Sequence, residues 1–259
     1  MTTGLTAHTL AYNLNKIVYP WRESIASVLP IVDELIVCEC FSTDGTYEDL
    51  LAIMAKEPKI RMIRRPWGTK CEMLGDLVNE CIKEVRTPVH FQIQADEVLH
   101  EDSYPEFARL SVEFPGNAAM VHYTHFFNDF DTTYDFCYLT IPRVAKTNSG
   151  WKSTGDACAL GGPPPVIDTK IHLYHYGKVT SGREVEAAVK EFEFQSMYKH
   201  HGFPDPMIIR AYEAGRFSMG RSHEAEGRPV KGKKPFVGTH PAVMTEFIKA
   251  GRERARNGR

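Results

Sequence analysis

Over about the first 125 residues, short apolar blocks alternate with amphipathic ones, and each block carries the period of one kind of element. The runs LTAHTLAY (5–12), ELIVCEC (34–40), KIRMIRR (59–65) and PVHFQIQ (88–94) predict strands. Between the first two, YPWRESIASVL (19–29) sets Ile25, Val28 and Leu29 on one helical face. KCEMLGDLVNECIKEV (70–85) repeats Met73, Leu74, Leu77, Val78, Cys81, Ile82 and Val85 at helical spacing. STDGT (42–46) has the residues turns use and opens a helix through YEDLLAIMAK. Strands and helices in alternation predict an α/β fold, a sheet with helices on its faces.

The pattern changes near residue 118, where aromatic and histidine-rich segments take over: AMVHYTHFFNDFDTTYDF, TIPRVAKTNSGWKSTGD and KIHLYHYGKV. LGGPPPVID (160–168) must be extended or turning. EVEAAVKEFEFQSMYKHH (184–201) predicts a helix, and AVMTEFIKAG a short one. The chain is therefore divided into residues 1–118, a ligand-binding half, 119–183, which completes the same sheet, and 184–259, a helical and basic extension.

Composition adds little to this picture: 259 residues, 42% hydrophobic and 25% charged, are those of an ordinary globular chain. No run reaches the ~18 apolar residues of a membrane span, and MTTGLTAHTLAYNLNK lacks the basic start and apolar core of a signal peptide, so a cytoplasmic protein is expected. The six cysteines form no C-x-x-C pair, which predicts reduced, partly buried thiols rather than a zinc or redox site. Net charge is −2, yet from residue 199 onward 13 Lys and Arg face 6 Asp and Glu. Such a segment is either a solvated terminus or a surface for phosphates.

Candidate chemistry starts at FQIQADEVLHED (91–102), where a strand ends in a carboxylate pair, Asp96 and Glu97. Ligands of open α/β sheets bind outside the carboxyl ends of the strands, and a metal bridging a diphosphate needs a few hard oxygen ligands on a rigid element. A solvated turn is the competing reading. Glu39 ends the second strand just before the turn containing Asp44, near the same edge. Downstream, HLYHYG holds His172 and His175 at the end of a strand-like run, and an imidazole can complete a Mn²⁺ shell.

The order ESIASVLPIVDELIV, STDGT, QADEVLHED, VHYTHFFNDF, YHYG and THPAVM resembles the family-2 type of nucleotide-sugar-dependent glycosyltransferases with the GT-A fold, and within it a bacterial and phage subgroup. The resemblance implies a GT-A-type, Rossmann-like mixed sheet flanked by helices, with an irregular and helical C-terminal extension. It implies transfer of a hexosyl or pentosyl group from a nucleotide-diphosphate sugar, a UDP-sugar foremost, with Mn²⁺ or Mg²⁺. The acceptor would be a glycan, a lipid-linked precursor or the hydroxymethylated bases of DNA, the last making DNA modification part of the picture.

Asp96 matches the last Asp of the family's D-x-D motif and would bind the metal, with His175 as a further ligand. The first Asp of that motif is Gln94 here, and Cys40 stands where a second-strand acid is usual. Thr9, Leu10, Ala11, Tyr12, Glu39, Asp44, Lys70, Gln94 and Ala95 fall where the donor nucleotide and its phosphates bind. Asp156, in a Gly-flanked loop, matches the base that deprotonates the acceptor, with Asp129 and Asp131 as rivals. His125, Asp129 and Tyr176 would line the acceptor. Gln94 and Cys40 also fit a catalytically silent nucleotide-sugar or nucleic-acid binding module, whereas a nucleotidyltransferase would need a Gly-rich phosphate loop near the N-terminus that the sequence lacks.

Overall fold

The computed structural model of the chain describes residues 4–17, 19–67, 72–134, 138–155, 157–179 and 232–257. Strands β1 (Leu5–Ala11), β2 (Glu34–Glu39), β3 (Ile60–Arg64) and β4 (Val89–Gln92) are linked by helices α1 (Trp21–Val28), α2 (Thr46–Met54) and α3 (Glu72–Glu84). The four strands are parallel in the order β3-β2-β1-β4. β5 (Glu97–Leu99) and α4 (Tyr104–Val112) follow, then the long β6 (Ala118–Asn128), the short β7 (Thr132–Thr133) and β8 (Thr140–Lys146). The two-residue strands β9 (Lys152–Ser153), β10 (Leu160–Gly161) and β11 (Val166–Ile167) precede β12 (His172–Val179), and β13 (Lys234–Pro235) leads to helix α5 (Thr245–Asn257).

β8 joins β4 antiparallel, β6 joins β8 antiparallel, and β12 runs parallel to β6 while pairing antiparallel with β5. One mixed α/β sheet thus continues from the parallel strands into the aromatic segments. β1, β2 and β4 are buried on both faces, as strands covered on each side must be. Trp21, Ile25 and Val28 of α1 and Leu50 of α2 fill one face, and Leu74, Leu77, Val78 and Cys81 of α3 fill the other. Asp44 starts α2 by accepting from the Thr46 N–H at 3.1 Å, and the preceding Gly45 takes φ +89°, a conformation that favours glycine.

One helix, α4, lies where the periodicity predicts none. Pro105 sits in its first turn, where a missing N–H costs nothing, and only Phe107 and Leu110 anchor its nine residues. At the other end of the chain α5 seats Ile248 and Gly251 against Phe130, where a Cβ on Gly251 would lie 2.6 Å from the ring. The helix predicted at 184–201 lies outside the described residues. Cys38, Cys40 and Cys81 are buried thiols outside any disulfide, and Cys158 is half-buried. No helix among the described residues is long and apolar enough to cross a membrane.

Beneath α3 the inward face of β1 and β4 is polar. His8 Nε2 and His90 Nδ1 are 3.0 Å apart, both rings are fully buried, and burial holds His90 down at about 4 and His8 well below the usual histidine range. Both are therefore neutral in the fold and protonate readily only when unfolded. The unfolded chain binds the extra protons, so stability is full above pH 6.5 and is lost as pH falls toward 4. His90 alone should remove about 2 kcal/mol between pH 7 and pH 5, above the range in which most carboxyls titrate. Urea unfolding at the two pH values checks this; equal free energies would contradict it.

Candidate active site

The four parallel strands end on one edge, and the turn after β4 carries Asp96. Gln94 starts this turn: its N–H donates to Glu97 Oε2 at 2.8 Å, and its carbonyl accepts from the Glu97 N–H at 3.1 Å and from Ser24 Oγ at 3.1 Å. The chain then enters β5, whose antiparallel register sets Glu97 opposite His175. Asp96 is thereby brought beside β12, with its carbonyl accepting from the Tyr176 N–H at 2.8 Å.

The two carboxylates have different surroundings. Glu97 is fully buried and accepts from Arg143 Nη2 at 2.6 Å, from the Tyr123 hydroxyl at 2.9 Å and from Gln94 N–H. Arg143, also fully buried, donates further to Tyr123 Oη, Gln94 Oε1 and the Ala157 carbonyl. Burial, reinforced by the neighbouring Asp96 carboxylate, pushes the Glu97 carboxyl above its usual range, and the Arg143 guanidinium and the Gln94 N–H work against that rise. Glu97 and Arg143 hold the turn, and neither reaches solvent.

Asp96 retains slight exposure, 8%, and its Oδ2 lies 3.2 Å from His175 Nε2. His175 Nδ1 meets His125 Nδ1 at 3.0 Å, and His125 Nε2 meets the Tyr138 carbonyl at 2.8 Å. A carbonyl only accepts, so His125 carries its proton on Nε2. Burial, reinforced by His175, holds His125 at about 3, so the ring is neutral and its Nδ1 accepts. His175 must then donate from Nδ1, and its Nε2 lies 3.2 Å from Asp96 Oδ2, a nitrogen and a carboxylate oxygen close enough to share a proton or to flank a cation.

Gly177 explains why the HYG string needs its glycine. β12 bulges between His175 and Lys178, and a Cβ at Gly177 would sit 2.2 Å from Asp96 Oδ2 and 2.7 Å from His175 Nε2. Gly177→Ala should displace both side chains and destabilise the fold by about 1–3 kcal/mol, the cost of overpacking a filled site. Urea unfolding of the variant reads this; an unchanged free energy would contradict the close approach.

The structure distributes the other predicted residues around the edge. Thr9, Leu10, Ala11 and Ala95 line a small cavity under the end of β1, together with Trp21. Tyr12 is half-buried and stacks on Trp67 at 4.5 Å, with the rings 10° from parallel. Glu39 accepts from the Ser42 N–H at 2.5 Å and from Arg64 Nε at 2.7 Å; burial pushes its carboxyl up, but these two partners outweigh that and hold it below the usual range. Asp44 accepts from the Lys16 N–H at 2.9 Å besides capping α2. Gln94 gives its side-chain oxygen to Arg143 and points an N–H at the Ala157 carbonyl, 3.4 Å away. Lys70 and Asp156 lie outside the described residues. The residues flanking position 156 are tied down: Gly155 carbonyl accepts from Gly75 N–H at 3.1 Å, and Ala157 carbonyl from Gln92 Nε2 at 2.5 Å.

His125 and Tyr176 are interior residues, each 1% exposed. His125 acts on His175, and the Tyr176 hydroxyl meets His240 Nδ1 at 2.8 Å while its ring stacks on Phe126. Asp129 is half-buried and accepts from the Asp131 N–H, and Asp131 pairs with Arg252 of α5 at 2.5 Å. His172 meets Thr124 Oγ1 at 2.8 Å and does not share the Asp96 pair. Sequence reasoning missed Arg143, although a lone arginine on the inward side of TIPRVAK, in step with Ile141 and Ala145, is the signal of a buried charge awaiting a partner.

No protein-family model matches the chain, and no curated protein does. Among solved structures, S. aureus TarS 1-349 aligns with a TM-score of 0.47 at 12% identity, over 74% of this chain and 65% of that one. S. aureus TarS 1-349 in complex with UDP-GlcNAc aligns with a TM-score of 0.40 at 14% identity, over 49% of this chain and 35% of that one. The chain thus spans less than two thirds of the length of either.

Proposed function

We propose that the protein is a glycosyltransferase that moves a sugar from a nucleotide-diphosphate sugar to an acceptor hydroxyl. The observation that carries this reading is the Asp96–His175 pair at the carboxyl edge of the parallel strands, with His175 Nε2 3.2 Å from the carboxylate and its Nδ1 held by His125. Carboxylate oxygen and imidazole nitrogen suit Mn²⁺ or Mg²⁺, and two protein ligands leave positions for water and for the oxygens of a diphosphate. Among the described residues no group of three or more His, Cys, Asp or Glu could hold a metal ion by itself. When bound, such an ion would neutralise charge on the departing diphosphate.

The chain's own residues orient the reaction. Arg143 and Glu97 fix the turn that presents Asp96, and His125 fixes the His175 tautomer. The end of β1, with Thr9 to Tyr12, is proposed to hold the nucleotide, and Lys70 its phosphates. Asp156 is proposed as the base that accepts the acceptor's proton. Two acceptor classes fit. One is a glycan or lipid-linked precursor. The other is hydroxymethylated DNA, for which exposed Lys249, Arg254 and Arg256 of α5 supply positive charge. Salt-dependent binding of duplex DNA that is lost on deleting residues 249–259 would select the second class; binding indifferent to the deletion removes the tail from it.

Thermal stability in Mn²⁺ across a panel of nucleotide sugars tests the donor assignment. A ligand held ~100-fold above its Kd should add about 2.7 kcal/mol, visible as a raised Tm. A flat response to every member of the panel would contradict the proposal.

A further inference from the structure

Phe41 is out of place by ordinary folding rules. It follows the end of β2 with φ +57°, a conformation that a bulky side chain rarely adopts and that costs free energy. Burial does not offset the cost, since the residue is 51% exposed. One face of its ring is already covered: the Arg64 guanidinium sits 4.2 Å from the ring centroid, and the same guanidinium lies 4.2 Å from the Tyr47 ring. Arg64 is held in this sandwich by Glu39, which is fully buried and 2.7 Å from Arg64 Nε. A strained aromatic ring is thus braced from behind, and its other face is turned to solvent at the ligand-binding edge of the sheet.

Glu39 is committed by the same arrangement. One oxygen takes the Ser42 N–H and the other the Arg64 guanidinium, so the carboxylate at the end of β2 is engaged inside the protein. We propose that Phe41 is the stacking platform for the donor's nucleobase, and that the base is held by its π-face rather than read by a carboxylate. Every base has a π-face, so stacking is tolerant of base identity. The donor site accordingly accepts nucleoside diphosphates with little preference for the base. This rests on the nucleotide-sugar reading above and adds to it which residue meets the base and how selective the contact is.

The test is calorimetric titration of UDP, GDP and ADP, with Mn²⁺, into the wild-type protein and into Phe41→Gly and Phe41→Trp. Wild type should bind the three within roughly tenfold of one another. Phe41→Gly should bind all three roughly tenfold or more weakly, the effect of removing one base–aromatic stack, and yet melt at a higher temperature because glycine accepts the positive φ. Opposite movement of affinity and Tm is not what a merely structural residue would give. Phe41→Trp should retain binding. Unchanged affinity in Phe41→Gly, or discrimination beyond 100-fold among the three by wild type, overturns the platform and leaves the nucleotide-sugar reading standing. Failure of wild type to bind any of the three overturns both.

Discussion

Arg143→Met should lower the unfolding free energy by about 3–5 kcal/mol, the cost of leaving a buried charge without its partner. Arg143 and Glu97 have no exposed side-chain surface and are 2.6 Å apart. Methionine fills much of the space but donates nothing, so the Glu97 carboxylate would keep only Tyr123 and Gln94, and the Tyr123 hydroxyl, Gln94 Oε1 and the Ala157 carbonyl would each lose a donor. The double variant Arg143→Met, Glu97→Met should recover much of the loss, because two apolar side chains leave no orphaned charge. Urea unfolding of wild type, single and double variants checks both statements. A single variant within about 1 kcal/mol of wild type would show that the pair contributes no more than an exposed one.

Asp96→Asn should leave stability almost unchanged and remove activity. The amide matches the carboxylate in size, so it fits over Gly177, and with an oxygen and an N–H it can hydrogen-bond His175 Nε2. The charge that would hold a cation is gone. Turnover should fall roughly 10²–10³-fold or more, the scale for deleting one preorganised electrostatic group, with Tm within a degree or two. Loss of Tm and activity together would recast Asp96 as a residue of the fold.

The parallel half of the sheet was legible because both periods are regular there: β2 is nearly all apolar, β1 and β4 set Leu5, Ala7 and Val89, Phe91 at alternate positions, and α3 repeats at helical spacing over 13 residues. α4 was not, since nine residues with two buried anchors give periodicity little to work on. Asp96 could be placed at a strand end from its position after PVHFQIQ. The difference between Asp96 and Glu97 could not be seen, because it depends on β8 bringing Arg143 across β4 and on the β5–β12 register. Gln94 looked like an anomaly in a metal motif and proves to be a partner of Arg143, a contact between residues far apart in sequence. The engagement of Glu39 was hidden for the same reason, as Arg64 reaches it only through the β2–β3 pairing. What local pattern encodes was readable; what strand order assembles was not.

The Asp96–His175 edge is proposed to turn over a nucleotide-diphosphate sugar. Release of nucleoside diphosphate from a panel of such sugars, with Mn²⁺ or Mg²⁺, by wild type and Asp96→Asn side by side, measures it directly. At least one sugar nucleotide should be consumed by wild type, with the rate collapsing in the variant and on chelation of the metal. Absence of turnover for every donor, or turnover that Asp96→Asn leaves intact, would contradict it.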